Sequence, residues 1–279
     1  MAKATPPVSR DEMITALQGE GYTITKDGKL HGRTVEVDLG RYVGKPSKFA
    51  VLSCSHLGSR WQQLTHLHTF YAYAHKQGVR TFLHCGDVVD GEKMHRGHEY
   101  GIFVHGADAQ VAYAVKNYPK LRGTKTYMIA GNHDLSFWKN AGVNVVEQIC
   151  GRRSDLEYLG TDVAFMMMGN VSVGLMHSRG GVSYARSYKV QKLIEQTAPE
   201  RKSNFLFIGH WHVQCLIPGY RNVEGLSMGC FQAQTDFLQS LGLYPNVGGL
   251  IVTFTPDEKG LASIQYEYVP YYQMIENDY

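Results

Sequence analysis

The chain has 279 residues, which is long enough to form one large α/β domain or two smaller ones with a well-buried core. Its composition, 43% hydrophobic and 19% charged residues, excludes a disordered or fibrous protein. The formal net charge of +3 is too small to indicate a general polyanion-binding protein.

The first 45 residues differ in pattern from the rest and predict a small α+β appendage. A short helix is expected over residues 10–18, and Asp27-Gly28 is a hairpin turn signal between alternating segments. A helix and hairpin can be half of a winged helix, which would bind nucleic acid, or a lid or packing extension. Because a second helix is missing, the extension is favoured. The expected domains are therefore residues 1–45 and 46–279.

From residue 48 onwards, strands alternate with helices, which predicts a layered α/β domain. Gly169-Asn170 is the expected turn between two paired strands, and the tyrosine-rich segment near the C-terminus reads as an edge strand and tail. The expected strands are residues 48–56, 79–87, 125–134, 204–212, 247–255 and 262–269, and the expected helices are residues 61–78, 107–118 and 184–196.

The chain offers no signal for export or for a membrane span. Its N-terminal segment lacks an apolar stretch long enough for a signal peptide, and apolar runs elsewhere are far shorter than a transmembrane helix. Five cysteines without a CxxC pair argue against a disulfide framework. These features predict reduced thiols, a cytoplasmic location and no membrane partner.

Five short motifs of metal-binding residues each end a predicted strand. Such side chains on adjacent strands converge at one rim of a sheet, where they can hold a metal pair. A single motif of this kind is common in proteins, but five in this order predict a metal centre. The motifs are SCSH at residues 53–56, GDVVDG at 86–91, GNHD at 131–134, His177, and GHWH at 209–212.

The order and spacing of these motifs resemble the calcineurin-like metallophosphoesterase superfamily, whose pattern is D-x-H, G-D-x-x-D, G-N-H-D/E, H and G-H-x-H. The resemblance covers residues 48–255 and implies a mixed-sheet αββα sandwich. It also implies two divalent transition-metal ions (Zn, Fe or Mn) that share Asp87. The implied ligands are Cys54, His56, Asp87 and His212 for the first ion, and Asp87, Asn132, His177 and His210 for the second.

This resemblance implies a hydrolase of phosphate esters. Two ions about 3.5–4 Å apart can share a bridging hydroxide as the nucleophile and clamp a phosphate oxygen. Cys54 departs from the pattern because it replaces the first carboxylate, as in the similar RNA lariat debranching enzymes. A soft thiolate favours Zn or Fe at that position. Alternatively, the cysteine marks a weakened site in a non-catalytic scaffold, but the complete set of remaining ligands favours an enzyme.

Two residues of the third motif are candidates for catalysis. His133 is expected to protonate the leaving oxygen, with Asp134 setting its orientation. Asp134 can equally be the N-cap of a following helix. Asp90, in the second motif, is expected either behind the metal ligands or as a loop cap.

Basic residues near the motifs are candidates for substrate binding. Arg179 follows His177 closely and can clamp a phosphate, while His95 and Arg96 lie in the loop after the second motif. Basic groups interleaved with aromatic ones suit DNA or RNA, although a solvated helix face explains part of the pattern equally well. The expected activity is a phosphodiesterase acting on nucleic acid or nucleotides, with a phosphomonoesterase or protein phosphatase as the alternative.

Overall fold

The computed structural model describes residues 22–24, 30–37, 45–258 and 260–279. Its strands are β1 (Tyr22–Ile24), β2 (Leu30–Val37), β3 (Ser47–Leu52), β4 (Thr81–His84), β5 (Lys125–Ala130), β6 (Leu156–Thr161), β7 (Val163–Met168), β8 (Val171–His177), β9 (Phe205–Gly209), β10 (Cys215–Tyr220), β11 (Val223–Ser227), β12 (Gly248–Asp257) and β13 (Gly260–Pro270). Its α-helices are α1 (Leu64–Lys76), α2 (Ala107–Asn117), α3 (Leu135–Ala141), α4 (Val145–Gly151), α5 (Tyr188–Gln196) and α6 (Asp236–Ser240).

The strands form two mixed sheets that pack face to face. One sheet has the order β1-β2-β7-β8-β9-β11-β10, and the other has the order β13-β12-β3-β4-β5-β6. Buried side chains from both sheets, such as Phe49 and Val51 from one and Phe205 and Phe207 from the other, make a shared apolar layer. Burying these faces supplies most of the driving force for sheet packing.

Helices cover the outer faces of the two sheets. Helices α1 to α4 contribute to a second apolar cluster with one sheet, and α5 packs on the other through Val190 and Ile194. The layer order is therefore helix, sheet, sheet, helix, which confirms the predicted αββα sandwich. All four residues of β4 are buried because both faces of that sheet are covered.

The N-terminal segment adds strands to the larger sheet. Strands β1 and β2 are antiparallel, which confirms the predicted hairpin, and β2 runs parallel to β7 with Thr34 opposite Phe165. The helix expected over residues 10–18 and the turn at Asp27-Gly28 lie outside the described residues. The division of the chain at residue 45 stays a prediction.

The predicted strands are longer than the observed ones, and the difference lies at the motifs. For example, the strand expected over residues 79–87 ends at His84, and the motif residues follow as a loop. The edge position of β13 confirms the expected edge strand near the C-terminus. In the described ranges, no helix is long and apolar enough to cross a membrane. The five cysteines are free thiols, as predicted.

Candidate metal centre

The metal-binding motifs meet at one end of the sandwich. Strands β3, β4 and β5 are parallel neighbours in one sheet, and β8 and β9 are parallel neighbours in the other. Their carboxyl ends therefore point the same way within each sheet, and the loops that follow bring polar side chains from both sheets together. His56, Asp87, Asn132, His210 and His212 all line one cleft at this end.

Most of the predicted ligands have an unusual backbone conformation. A positive φ angle is uncommon for a residue with a side chain, costs on the order of 1–3 kcal/mol, and tends to occur at functional sites. In this protein it occurs in the segments that follow β3, β4 and β9, where the chain turns into the site. The residues with this conformation are Cys54 (53°), His56 (45°), Asp87 (57°), His210 (93°) and His212 (54°).

Glycines at two of the turns permit this close approach. A Cβ atom at Gly86 would lie 2.5 Å from the His177 ring nitrogen Nδ1, and one at Gly131 would collide with the Asp87 carboxylate. Any larger residue would push a predicted ligand away from its position. The glycines that precede Asp87 and Asn132 are thus required by the packing of the site.

The first predicted ligand group is compact and buried. Ligand atoms of Cys54, His56 and His212 all lie within 4.8 Å of one another. The Nε2 atoms of His56 and His212 are 3.1 Å apart. His56 Nδ1 donates to Asp90 Oδ1 at 2.9 Å, which leaves Nε2 with its lone pair facing the site. The Nδ1 atom of His212 is buried without a hydrogen-bond partner.

The second predicted group adjoins the first through Asp87. His177 Nε2 lies 3.1 Å from Asp87 Oδ2 and 3.0 Å from Asn132 Oδ1, while its Nδ1 donates to the Cys85 carbonyl at 2.7 Å. Asp87 Oδ2 is also 3.9 Å from His56 Nε2, so this carboxylate stands between the two groups. The ring of His210 packs 5.3 Å from that of His177.

Cys54 is fully buried at the junction of both groups. Its Sγ accepts the backbone N–H of His210 at 3.3 Å and lies 2.9 Å from Ser53 Oγ. Ligand atoms of Cys54, Asp87 and His177 also lie within 4.8 Å of one another. Burial and the neighbouring Asp87 raise the pKa of the Cys54 thiol well above its ordinary value. A thiolate at this position therefore needs a cation beside it.

The electrostatics at His210, His212 and Asp87 suit metal binding. Burial lowers the pKa of His210 to about 4 and that of His212 well below its ordinary value, so both rings are neutral, as metal ligands must be. Although burial opposes it, the nearby His177 and His133 hold the pKa of Asp87 well below its usual range. Thiolate, imidazole, carboxylate and amide groups together are donors that transition-metal ions prefer.

Asp90 was expected either behind the metal ligands or as a loop cap, and its side chain lies behind the ligands, where it bonds to His56. Besides its bond to His56, its carboxylate accepts from Gln232 Nε2 at 3.2 Å and lies 3.3 Å from His98 Nε2. Burial raises the pKa of Asp90, but the hydrogen bonds from His56 and His98 outweigh this and lower it. The sequence pattern did not single out Gln232, because it belongs to none of the five motifs.

The expected pairing of Asp134 with His133 is wrong. The Asp134 carboxylate accepts three backbone N–H groups, from Val88 (3.1 Å), Val89 (2.9 Å) and Gly131 (2.8 Å). It therefore ties the second motif to the third and is a positioning residue. Asp134 does precede α3, but its side chain makes no capping bond to that helix.

The partner of His133 is Asp90. His133 Nδ1 donates to the Asp90 carbonyl oxygen at 2.6 Å, and its backbone N–H donates to Asp87 Oδ1 at 2.9 Å. Because a carbonyl only accepts, the Nδ1 atom carries a proton, and Nε2 is the remaining ring nitrogen. Burial lowers the pKa of this ring to about 4. His133 lines the cleft and is 20% exposed, so a substrate can reach it.

Of the three predicted substrate residues, only His95 lines the cleft. Arg96 is exposed outside it. The Arg179 guanidinium donates to Asp162 Oδ2 at 2.7 Å and is also outside the lining. That Arg179 and Arg96 contact the substrate therefore stays a prediction, and neither lines the cleft: Arg179 has an acidic partner of its own, and Arg96 is exposed to solvent.

The cleft itself extends from the metal-binding end to an apolar outer wall, which the motifs did not predict. It has a volume of about 440 Å³. No lysine or arginine belongs to its lining among the residues that the structure describes, whereas Asp87, Asp90 and Asp236 do. The outer wall is built from Trp61, Met94, His95, Tyr100, Val182, Trp211, Phe237, Leu238, Leu241 and Leu243.

Comparison with known proteins gives one family match. Residues 48–226 match the model of the calcineurin-like phosphoesterase superfamily domain. A comparison with curated proteins gave no match. This chain is also similar to several solved structures, each at 14% sequence identity or less.

Three of these structures illustrate the range. A predicted phosphoesterase from Streptococcus pneumoniae TIGR4 has 14% identity and a TM-score of 0.38, covering 80% of this chain and 98% of its own. Vps29 from Chaetomium thermophilum has 13% identity and a TM-score of 0.38, and the match covers 82% of this chain and 96% of Vps29. The Pseudomonas putida nuclease MPE has 12% identity and a TM-score of 0.36, and the match covers 67% of this chain and 76% of the nuclease.

Proposed function

Because the chain belongs to the calcineurin-like phosphoesterase superfamily, we propose that it is a metal-dependent phosphodiesterase acting on nucleotides or nucleic acid. The observation that carries this proposal is the meeting of metal-binding side chains from five separate motifs at one end of the sandwich. The positive φ angles at five of these residues support a functional site at this end, because such strained conformations cluster at active and ligand-binding sites.

The donor set supports two neighbouring metal positions. Cys54, His56 and His212 would hold the first ion, and Asn132, His177 and His210 the second, with Asp87 shared. When bound, two such ions supply a hydroxide at neutral pH and neutralise charge on the phosphate. Cys54 favours Zn or Fe at its position over Mn.

The remaining residues position these ligands and handle the leaving-group proton. Asp90 and the Cys85 carbonyl fix the rings of His56 and His177, so that each presents Nε2. His133 is the proposed acid, with Nε2 as the atom that gives a proton to the leaving oxygen. A bound phosphate ester is an anion and stabilises the protonated form of this ring.

Outside the metal positions, the charge of the cleft favours a diester over a monoester. A phosphodiester carries one negative charge, whereas a monoester carries nearly two at neutral pH. Proteins that bind the more highly charged group usually supply arginine or lysine. Among the described residues, neither side chain lines this cleft, and Asp236 adds negative charge to it.

A direct comparison of substrates tests the proposal. Metal-loaded protein should hydrolyse bis(p-nitrophenyl) phosphate with a kcat/KM at least about tenfold above that for p-nitrophenyl phosphate. The Asp87→Asn variant, which lacks the shared carboxylate charge, should hydrolyse neither. Faster cleavage of the monoester would favour a phosphomonoesterase or protein phosphatase. Metal-loaded protein that cleaves neither compound would favour a scaffold.

A further inference from the structure

The outer wall of the cleft carries exposed aromatic rings. Tyr100 is 80% exposed and Phe237 is 42% exposed. His95 stacks on Phe237 with ring centroids 4.2 Å apart and an angle of 11° between the planes. These rings border the same cleft as the metal-binding residues, so one ligand can touch both. The group Trp61, His95, Tyr100, Trp211 and Phe237 is called the ring wall below.

Helix α6, which carries Phe237, does not contribute to the core. None of its residues is buried, although Phe237 and the following Leu241 are apolar and 42% and 56% exposed. Exposed apolar groups cost free energy in water, so a cluster of them beside a polar site indicates a ligand surface. Folding of the sandwich does not explain why this helix carries them.

The segment around α6 is nevertheless held in place. The Thr235 hydroxyl accepts the backbone N–H of Leu238 at 3.1 Å and caps the helix. Gln234 Nε2 donates to the Leu243 carbonyl at 2.7 Å and closes the loop at its base. Together with the stacked His95, these bonds fix the Phe237 ring before any ligand arrives. A fixed ring loses little entropy when a ligand binds to it.

The size and charge of the cleft limit what the ring wall can bind. A volume of about 440 Å³ is in the range of small-molecule sites. Long nucleic acid strands are usually bound in grooves lined by arginine and lysine, and neither residue type lines this cleft in the part of the chain that the structure describes. The part of the ligand that contacts the ring wall is therefore compact and uncharged. Five of the ten wall residues carry flat rings, and the stacked pair of His95 and Phe237 suits a planar group better than an aliphatic chain.

From these observations we infer that the ring wall binds the base of a nucleotide-sized phosphodiester while its phosphate lies at the metal-binding end. This assignment rests on the proposed phosphodiesterase function and narrows it from nucleic acid in general to short nucleotide esters. Thr235 and Asp236, which also line the cleft, offer oxygen atoms that accept hydrogen bonds from base N–H groups.

Ligand binding to the metal-loaded protein tests the assignment without requiring turnover. Isothermal titration would compare adenosine 5′-monophosphate with ribose 5-phosphate, which has the same sugar phosphate but no base. Stacking of one base on one aromatic ring justifies an expected preference of about tenfold or more for the nucleotide. The Phe237→Ala and His95→Ala variants should each lose most of this preference and leave ribose 5-phosphate binding unchanged.

The matched control is Tyr272→Ala, which removes an aromatic ring that is 84% exposed and outside the cleft. This variant should bind both compounds as the unmodified protein does. Equal binding of the two compounds by the unmodified protein would overturn the assignment, as would a Phe237→Ala variant with full nucleotide preference. Octyl phosphate binding as tightly as the nucleotide would also overturn it, because the wall would then select any apolar group.

Kinetics separate this inference from the proposed function. The thymidine 5′-(p-nitrophenyl) ester of phosphate and methyl p-nitrophenyl phosphate share a leaving group and differ in the base. If both esters are hydrolysed without a preference and the two ligands bind equally, the proposed base site is rejected and the proposed phosphodiesterase activity is retained. If neither ester is hydrolysed but the nucleotide is preferred in binding and Phe237→Ala abolishes that preference, the base site is supported and the phosphodiesterase activity is rejected.

Discussion

Replacing Asp134 tests whether its carboxylate holds the second and third motifs together. The side chain is 1% exposed, and its two oxygens accept three backbone N–H groups. In Asp134→Asn, the single side-chain oxygen can take the position that accepts from Val88 and Gly131. The side-chain N–H₂ then faces the backbone N–H of Val89, which loses its acceptor. At least one hydrogen bond to a charged group is lost, which costs about 1.5–3 kcal/mol.

Two further effects bear on this magnitude. The two remaining bonds weaken because their acceptor is no longer charged. Burial and repulsion from Asp87, which raise the pKa of Asp134 to about 7, act in the opposite direction, since removing the charge relieves both. We therefore expect Asp134→Asn to lower the free energy of unfolding by about 2 kcal/mol. Asp134→Ala leaves three buried N–H groups without an acceptor and should cost at least about 3 kcal/mol, a large part of a typical stability.

Urea unfolding followed by circular dichroism measures this effect. The protein should be stripped of metal with excess chelator, because binding of an ion to the native state would add stability of its own. The control is Asp278→Asn, a partly exposed carboxylate that accepts the Thr65 backbone N–H at 2.7 Å and the Thr65 hydroxyl at 2.6 Å, and this change should cost less than about 1 kcal/mol. A stability of Asp134→Asn within about 0.5 kcal/mol of the unmodified protein would refute the positioning role.

Three other substitutions address the centre itself. Cys54→Asp should retain hydrolysis but shift the metal preference towards Mn in competition with Zn, and an unchanged preference would mean that the thiolate is not a ligand. His133→Asn should slow turnover by about a hundredfold or more at constant metal content, and equal turnover would remove its role as acid. Gly131→Ala should reduce metal content because the new Cβ collides with the Asp87 carboxylate. The control Gly151→Ala should leave metal content unchanged, because nothing lies within 4 Å of a Cβ there. Full metal content in Gly131→Ala would contradict this packing argument.

The layer order and the position of the motifs were predictable because both are recorded locally in the sequence. Buried strands read as apolar runs, and a polar motif directly after such a run has to lie at the strand's carboxyl end. Strand β10 was not predicted, since its sequence CLIPGY contains proline and glycine, which are tolerated at this edge position. Its apolar pattern is too weak to identify it.

The contacts between motifs were less predictable, because they join residues far apart in the chain. Asp134 was expected to bond the adjacent His133, yet its carboxylate reaches Val88 and Val89, 45 residues or more away. Arg179 was expected at the phosphate, but the acidic partner that holds it, Asp162, belongs to no motif. Which neighbour a charged side chain chooses depends on loop geometry that no local pattern records.

The ring wall was also missed, for a different reason. Residues 236–243 form a short helix and loop whose apolar residues have no clear period, so the segment reads as an ordinary surface connection. Its role becomes visible only when His95, from another loop, stacks on Phe237. The sequence did point to His95, although as a basic group and not as an aromatic one.

Metal content measured by elemental mass spectrometry tests the central claim most directly. Purified protein, loaded with excess Zn, Fe or Mn and then desalted, should retain about two ions per chain, as expected for a shared-carboxylate pair. Asp87→Asn should retain fewer than one, because its side chain stands between both ligand groups. Unmodified protein that retains no metal, or Asp87→Asn that still retains two ions, would contradict the two-metal centre.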